Sequence, residues 1–176
     1  MSMDPLVARD VACRLHGGQR TRFGELVIDH LDRVQAAVPA DARATAWLHD
    51  ALEGPGMTQR ELRLCRLGAV EREALELLTH APTEPYELYV GRIARAPGAA
   101  GRLARAIKAA DLDDHLAHTA IPADAPPYAW ARRRIAAARA LRQDVEQATG
   151  AGSIPVMPRS RRRRHLRRWS PSRSSC

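Results

Sequence analysis

Residues 42–53 read ARATAWLHDALE and end against Gly54-Pro55-Gly56. Ala, Leu and Arg favour helix, and no residue here is incompatible with one. Asp41 stands where an N-cap would, and Gly-Pro-Gly breaks any helix that reaches it. The stretch therefore predicts a helix over 42–53 carrying an adjacent His49-Asp50 pair, with Glu53 one turn further on.

The pattern extends in both directions. Residues 5–16 predict a first helix with Leu6, Val7, Val11 and Leu15 on one face, ended by Gly17-Gly18. A polar loop over 18–25 leads to a second helix, about 26–38, with Ile28, Leu31, Val34 and Val38 inward and Pro39 as its stop. Thr58 with Glu61 is a capping-box pair for a fourth helix reaching about Leu67. Further helices are expected over about 69–79, 86–96, 99–118 and 128–149, with 121–127 as a linker. No segment alternates with period two, and aromatic residues make up only 4 % of the chain. The expectation is one all-α helical bundle domain over residues 1–150.

Residues 151–176 differ in kind. They hold eight Arg and no acidic residue, with little apolar side chain to bury, so they predict a disordered tail. The chain's net charge of +8 belongs to this tail. Setting those eight Arg aside leaves 20 basic residues facing all 20 acidic ones in the domain. The first reading of the tail is a solvated extension; the sharper alternative is an arm that binds nucleic acid or another polyanion, and that partner would be met through the tail alone. Three Cys without CxxC spacing give neither a disulfide framework nor a thiolate zinc site. The N-terminus lacks the basic and apolar regions of a signal peptide, and no run approaches the ~20 apolar residues that span a bilayer. A cytoplasmic protein without a membrane partner is expected.

Four ligand-type residues lie on otherwise apolar helices: His30, His49, Asp50 and Asp111. If three helices of a bundle bring them together, two imidazoles and two carboxylates form a mixed nitrogen–oxygen set. Such a set suits Mn²⁺, Fe²⁺, Co²⁺ or Zn²⁺ and leaves positions open for water and substrate. Glu53 falls on the same face as His49 and Asp50, where a carboxylate can orient water or move its proton. Lys108, the chain's only Lys, stands one turn before Asp111. With Arg20 and Arg22 it is a candidate to contact substrate phosphate.

The order of these blocks resembles a known family. His16-Gly-Gly-Gln19, Gly24, His30-Leu-x-Arg33-Val34, Leu48-His49-Asp50-x-x-Glu53, Leu78-Thr79, Tyr86, Tyr89 and Lys108-x-x-Asp111-Leu-x-Asp114 look like an HD-domain metal-dependent phosphohydrolase. Within that superfamily the chain is most similar to the hydrolase domains of guanosine tetraphosphate synthetase/hydrolases and their small stand-alone relatives. The resemblance covers about residues 5–145. It implies a divalent ion, usually Mn²⁺, on His30, His49, Asp50 and Asp111, with Glu53 helping to activate water. It also shows departures. Gly54 replaces the Asp that follows the family's Glu, Thr21 replaces an Arg between Arg20 and Arg22, and Leu26-Val27 replaces Pro-Tyr. His115, a substrate-side candidate, replaces an Asn. These changes leave the metal set whole and bear on which nucleotide or phosphate ester is the substrate. Three further readings stand beside the enzyme: an inactive HD module that senses a nucleotide, a nucleic-acid-binding protein acting through its basic tail, and a helical interaction domain without metal.

Overall fold

The computed structural model describes residues 3–21, 23–53, 57–118 and 125–150. The expectations for Arg22, Gly54 and the 151–176 tail lie outside them. Eight α-helices occur among the described residues: α1 Pro5–His16, α2 Val27–Ala36, α3 Arg43–Trp47, α4 Gln59–Leu64, α5 Ala69–Leu78, α6 Tyr86–Arg95, α7 Gly98–His118 and α8 Ala125–Gly150. Among the described residues, extended pairing is limited to one isolated bridge, Arg20 with Leu26. The all-α expectation holds. No described helix is long and apolar enough to cross a membrane.

The capping residues explain several boundaries. Asp4 accepts from the Leu6 N–H at 2.7 Å ahead of Pro5, and Gly18 turns the chain away from α1 at φ +75°. Thr58 and Glu61 form the expected capping box, although α4 ends at Leu64 rather than near Leu67. At α5 the Glu71 carboxylate accepts from the Gly68 N–H at 2.5 Å. Helix α8 starts at Ala125, ahead of the expected 128, because Pro126 and Pro127 are tolerated in a first turn that needs no amide donors.

Two expectations are corrected. In α1 the buried residues are Ala8, Ala12 and His16, whereas Leu6 and Val7 are exposed. Small side chains let α1 lie close to α3, so the inward face is the alanine face; Val11 and Leu15 pack at its margin. The helix expected over 42–53 is only five residues long, preceded by a 3₁₀ turn at Ala40–Ala42 that contains Asp41. From Leu48 onward the chain continues in turns with three-residue spacing: Leu48 N–H to Thr45 O at 3.1 Å, Ala51 to Leu48 at 3.0 Å and Glu53 to Asp50 at 3.1 Å. The HD pair therefore sits on tight turns, not inside a regular helix.

The interior has two apolar clusters. One joins Val34, Leu78, Val90, Ile93, Ile107, Leu112 and Ile135 around α7, which packs on α2, α5, α6 and α8. The other joins Ala8, Ala12, Leu31, Trp47, Leu48, Leu62 and Leu75 between α1, α3 and their neighbours. Two arginines close helix ends inside the fold. Arg92 donates to the Leu77 and Thr79 carbonyls at the end of α5 and pairs with Glu84 at 2.9 Å. Arg105, 1 % exposed, donates to the Ala96 carbonyl at 2.6 Å. The packing of α2 on both α3 and α7 brings α2, the turns after α3, and α7 around one polar pocket.

Candidate metal centre

His30 comes from the middle of α2, His49 and Asp50 from the turns after α3, and Asp111 from α7. His30, His49 and Asp111 are buried, and Asp50 is partly open to solvent. Their functional atoms converge. His30 Nε2 lies 3.3 Å from Asp111 Oδ1 and 4.0 Å from Asp50 Oδ2. His49 Nε2 lies 3.2 Å from Asp50 Oδ1 and 3.6 Å from Asp111 Oδ1.

These separations fit a shared ion. Donors about 2.1 Å from one cation, at angles of about 90–115°, stand roughly 3.0–3.5 Å apart; the 3.2 and 3.3 Å separations fall in this range, and the 3.6 and 4.0 Å separations need wider ligand angles. The two Nε2 atoms supply the fit test. Both are buried and neither makes a regular hydrogen bond, although buried polar atoms are nearly always satisfied. A divalent cation between these imidazoles and carboxylates would satisfy both. The groups His30–His49–Asp50 and His30–Asp111–His115 each present ligand atoms close enough to hold one ion.

The opposite ring nitrogens are held by the fold. His49 Nδ1 is 2.8 Å from the Ala46 carbonyl, which also accepts from the His49 backbone N–H at 3.4 Å. His30 Nδ1 is 2.7 Å from Asp114 Oδ2. Asp114 is in turn gripped by Arg33, at 2.5 Å from Nε and 3.0 Å from Nη2, and Arg33 also donates to Glu25 at 2.8 Å. This carboxylate–histidine arrangement fixes ring orientation and tautomer, as behind many metal-ligating histidines. Glu25, His30 and Asp114 also cluster, but the Arg33 guanidinium already supplies the cation between the two carboxylates.

Charge within the pocket is balanced. Burial alone would lower the His30 pKa, but Asp111, Asp114 and Asp50 outweigh it and push it up to about 10. His49 is raised too, with Asp50 and Asp111 overcoming burial. Burial opposes ionisation of Asp111, yet Lys108 and three histidines hold its carboxyl well below the usual range. Lys108 Nζ sits 2.7 Å from Asp111 Oδ2 and 5.0 Å above the Tyr89 ring, so it stays protonated despite burial.

The remaining candidates fall into place unequally. Glu53 lies at the rim. Its residue is exposed overall, but its carboxylate accepts from the His80 N–H at 2.9 Å. Local burial and then Asp50 raise its pKa. His115 enters the centre itself, with Nε2 3.1 Å from Asp111 Oδ1. Its ring stacks on His30 on one side and Tyr128 on the other, with Phe23 at its edge. Arg20 has a different contact: it is exposed and donates to the Gly24 carbonyl at 2.5 Å across the 20–26 turn. Sequence reading assigned no such role to Arg33, Asp114, His80 or Tyr128. Arg33 follows His30 by three residues and Asp114 follows Asp111 by three, which is the spacing of one helix face. That spacing was the available signal for the first two.

Comparison with known proteins leaves these contacts to be interpreted from the chain's own residues: no protein-family model matches it, and no curated protein is significantly similar to it.

Proposed function

We propose that this chain is a divalent-metal-dependent phosphohydrolase of the HD type, acting on a nucleotide or related phosphate ester. The observation that carries the reading is the convergence of two buried, otherwise unsatisfied imidazole nitrogens with Asp50 and Asp111 from three elements. His30, His49, Asp50 and Asp111 would hold the ion. When bound, it would supply Lewis acidity, polarising a phosphate oxygen and lowering the pKa of water.

The protein's own groups divide the remaining work. Glu53 stands beside Asp50 with a raised carboxyl pKa, so it can accept a proton from water or return one to a leaving oxygen. The His80 N–H fixes which carboxylate oxygen remains available. Lys108 carries a positive charge against Asp111 and Tyr89, placed to attract a phosphate oxygen entering beside the pocket. Asp114 and Arg33 hold His30 in orientation without needing to touch substrate.

A panel of nucleotides and simple phosphate esters, assayed with Mn²⁺, Fe²⁺, Co²⁺ or Zn²⁺, tests this reading. Metal-dependent turnover should occur, and Glu53→Gln should remove it while keeping the metal. No turnover by metal-loaded protein, with nucleotide still bound, would favour the sensor reading, which Gly54 in place of an Asp also favours. The same substitution predicts slow hydrolysis of guanosine tetraphosphate, raised in Gly54→Asp.

A further inference from the structure

We propose that His115 is a third imidazole ligand of the same ion, making a three-histidine centre that favours nitrogen-binding metals over Mn²⁺ or Mg²⁺. The proposal rests on the metal-centre reading above and extends it to a residue first considered for substrate contact.

Position is the first support. The Nε2 atoms of His30, His49 and His115 lie 3.3, 3.6 and 3.1 Å from one atom, Asp111 Oδ1. Three imidazoles thus face one carboxylate oxygen from α2, the turns after α3, and α7. His115 reaches it from the position one turn beyond Asp111 on the same helix.

Ring geometry is the second support. An imidazole bound through Nε2 places its ring centre about 3.2 Å from the metal, given a metal–nitrogen bond of about 2.0–2.1 Å. Two such rings then stand about 4.5–5.4 Å apart for ligand angles of about 90–115°. The His30–His49 ring centres are 5.4 Å apart and the His30–His115 centres 4.9 Å apart. Both pairs therefore fit neighbouring positions around one ion. His115 is also held in this orientation: Tyr128 stacks on its outer face at 4.8 Å with planes 7° apart, and Phe23 closes its edge at 6.5 Å. A ring fixed by residues of α8 and the 20–26 loop loses little freedom on binding metal.

Imidazole suits Zn²⁺, Fe²⁺ and Co²⁺, whereas oxygen-rich sets suit Mg²⁺ and Mn²⁺. Adding a third nitrogen to two carboxylates shifts selectivity toward the first group. The rival role is a hydrogen bond from His115 Nε2–H to Asp111, supporting a ligand without touching the ion. Affinity alone does not separate the roles, since losing a group that supports a ligand also costs 10–100-fold.

A direct count of ligating nitrogens does separate them. The full chain, labelled with ¹⁵N-histidine and loaded with ¹¹³Cd²⁺, should show three imidazole nitrogens split by the metal. His115→Asn should show two, as should His49→Asn, with the other signals retained. In chelator competition His115→Asn should lose at least tenfold more Zn²⁺ than Mn²⁺ affinity. Two split signals in the wild-type protein would overturn the proposal while leaving the metal centre standing, as would an unchanged signal count in folded His115→Asn. Failure of the wild-type protein to bind any divalent ion would overturn the metal centre and this proposal together. The wild-type count decides the matter even if a variant misfolds.

Discussion

Asp114→Asn offers a sharp test of how the centre is held. The substitution keeps the side chain's size but removes the charge that faces His30 Nδ1 at 2.7 Å and Arg33 Nε at 2.5 Å. His30 then loses the carboxylate that orients its ring and raises its basicity. Removing such a partner typically weakens metal binding by about 10–100-fold, or about 1.4–2.7 kcal/mol. The stability cost should be smaller than the roughly 3–5 kcal/mol for breaking a fully buried pair. Arg33 remains about one-third exposed and keeps Glu25 at 2.8 Å, so roughly 1–2 kcal/mol is expected. Chelator competition with Zn²⁺ and Mn²⁺, together with thermal melting of the metal-free protein, measures the two effects separately. Metal affinity within twofold of wild type, in a folded variant, would refute the role assigned to Asp114.

Metal affinity should rise with pH. His30 has its pKa lifted from 6.5 to about 10, so its charge stabilises the metal-free protein fully below about pH 6.5 and that contribution fades as pH rises toward 10. Because an imidazole must be neutral to bind, affinity should increase about tenfold per pH unit for each proton released over this range; calorimetry in buffers of different ionisation enthalpy checks it, and flat affinity from pH 7 to 9 would contradict it. Gly101→Ala should destabilise the protein by roughly 1–3 kcal/mol in denaturant unfolding, reversing the usual helical gain of about 1 kcal/mol. Its new Cβ would come within 2.2 Å of the Ala96 carbonyl oxygen, and a neutral or stabilising result would show that α7 shifts freely. Lys108→Met should raise KM for a phosphate substrate about 10–100-fold at full metal occupancy, the range expected for a lost charge-assisted contact. An unchanged KM would remove Lys108 from substrate binding.

The helical class and most element boundaries were legible because capping residues and Gly or Pro breaks act locally. Thr58 with Glu61 and the Gly17-Gly18 exit needed no tertiary knowledge. The α1 face was misread because hydrophobicity favoured Leu6 and Val7, while close helix approach favoured Ala8 and Ala12. The turns at 48–53 were hidden because Leu, Ala and Glu are good helix formers. Their three-residue bonding depends on the tertiary setting that draws His49 and Asp50 inward. Four ligand candidates were visible as polar types in apolar surroundings, and they converge. Long-range neighbours were less accessible: Tyr128 meets His115 across two helices, and His80 reaches Glu53 across 27 residues. Their sequence spacing contains no corresponding signal.

The central claim is that His30, His49, Asp50 and Asp111 form one divalent-metal site. Element-resolved analysis of protein purified without chelator, followed by equilibrium loading with Mn²⁺, Fe²⁺, Co²⁺ and Zn²⁺, measures this directly. The account predicts one tightly held ion per chain in wild type, with folded His49→Ala and Asp111→Ala variants losing it. No bound ion under any of these conditions, or an ion equally retained by both variants, would contradict the account.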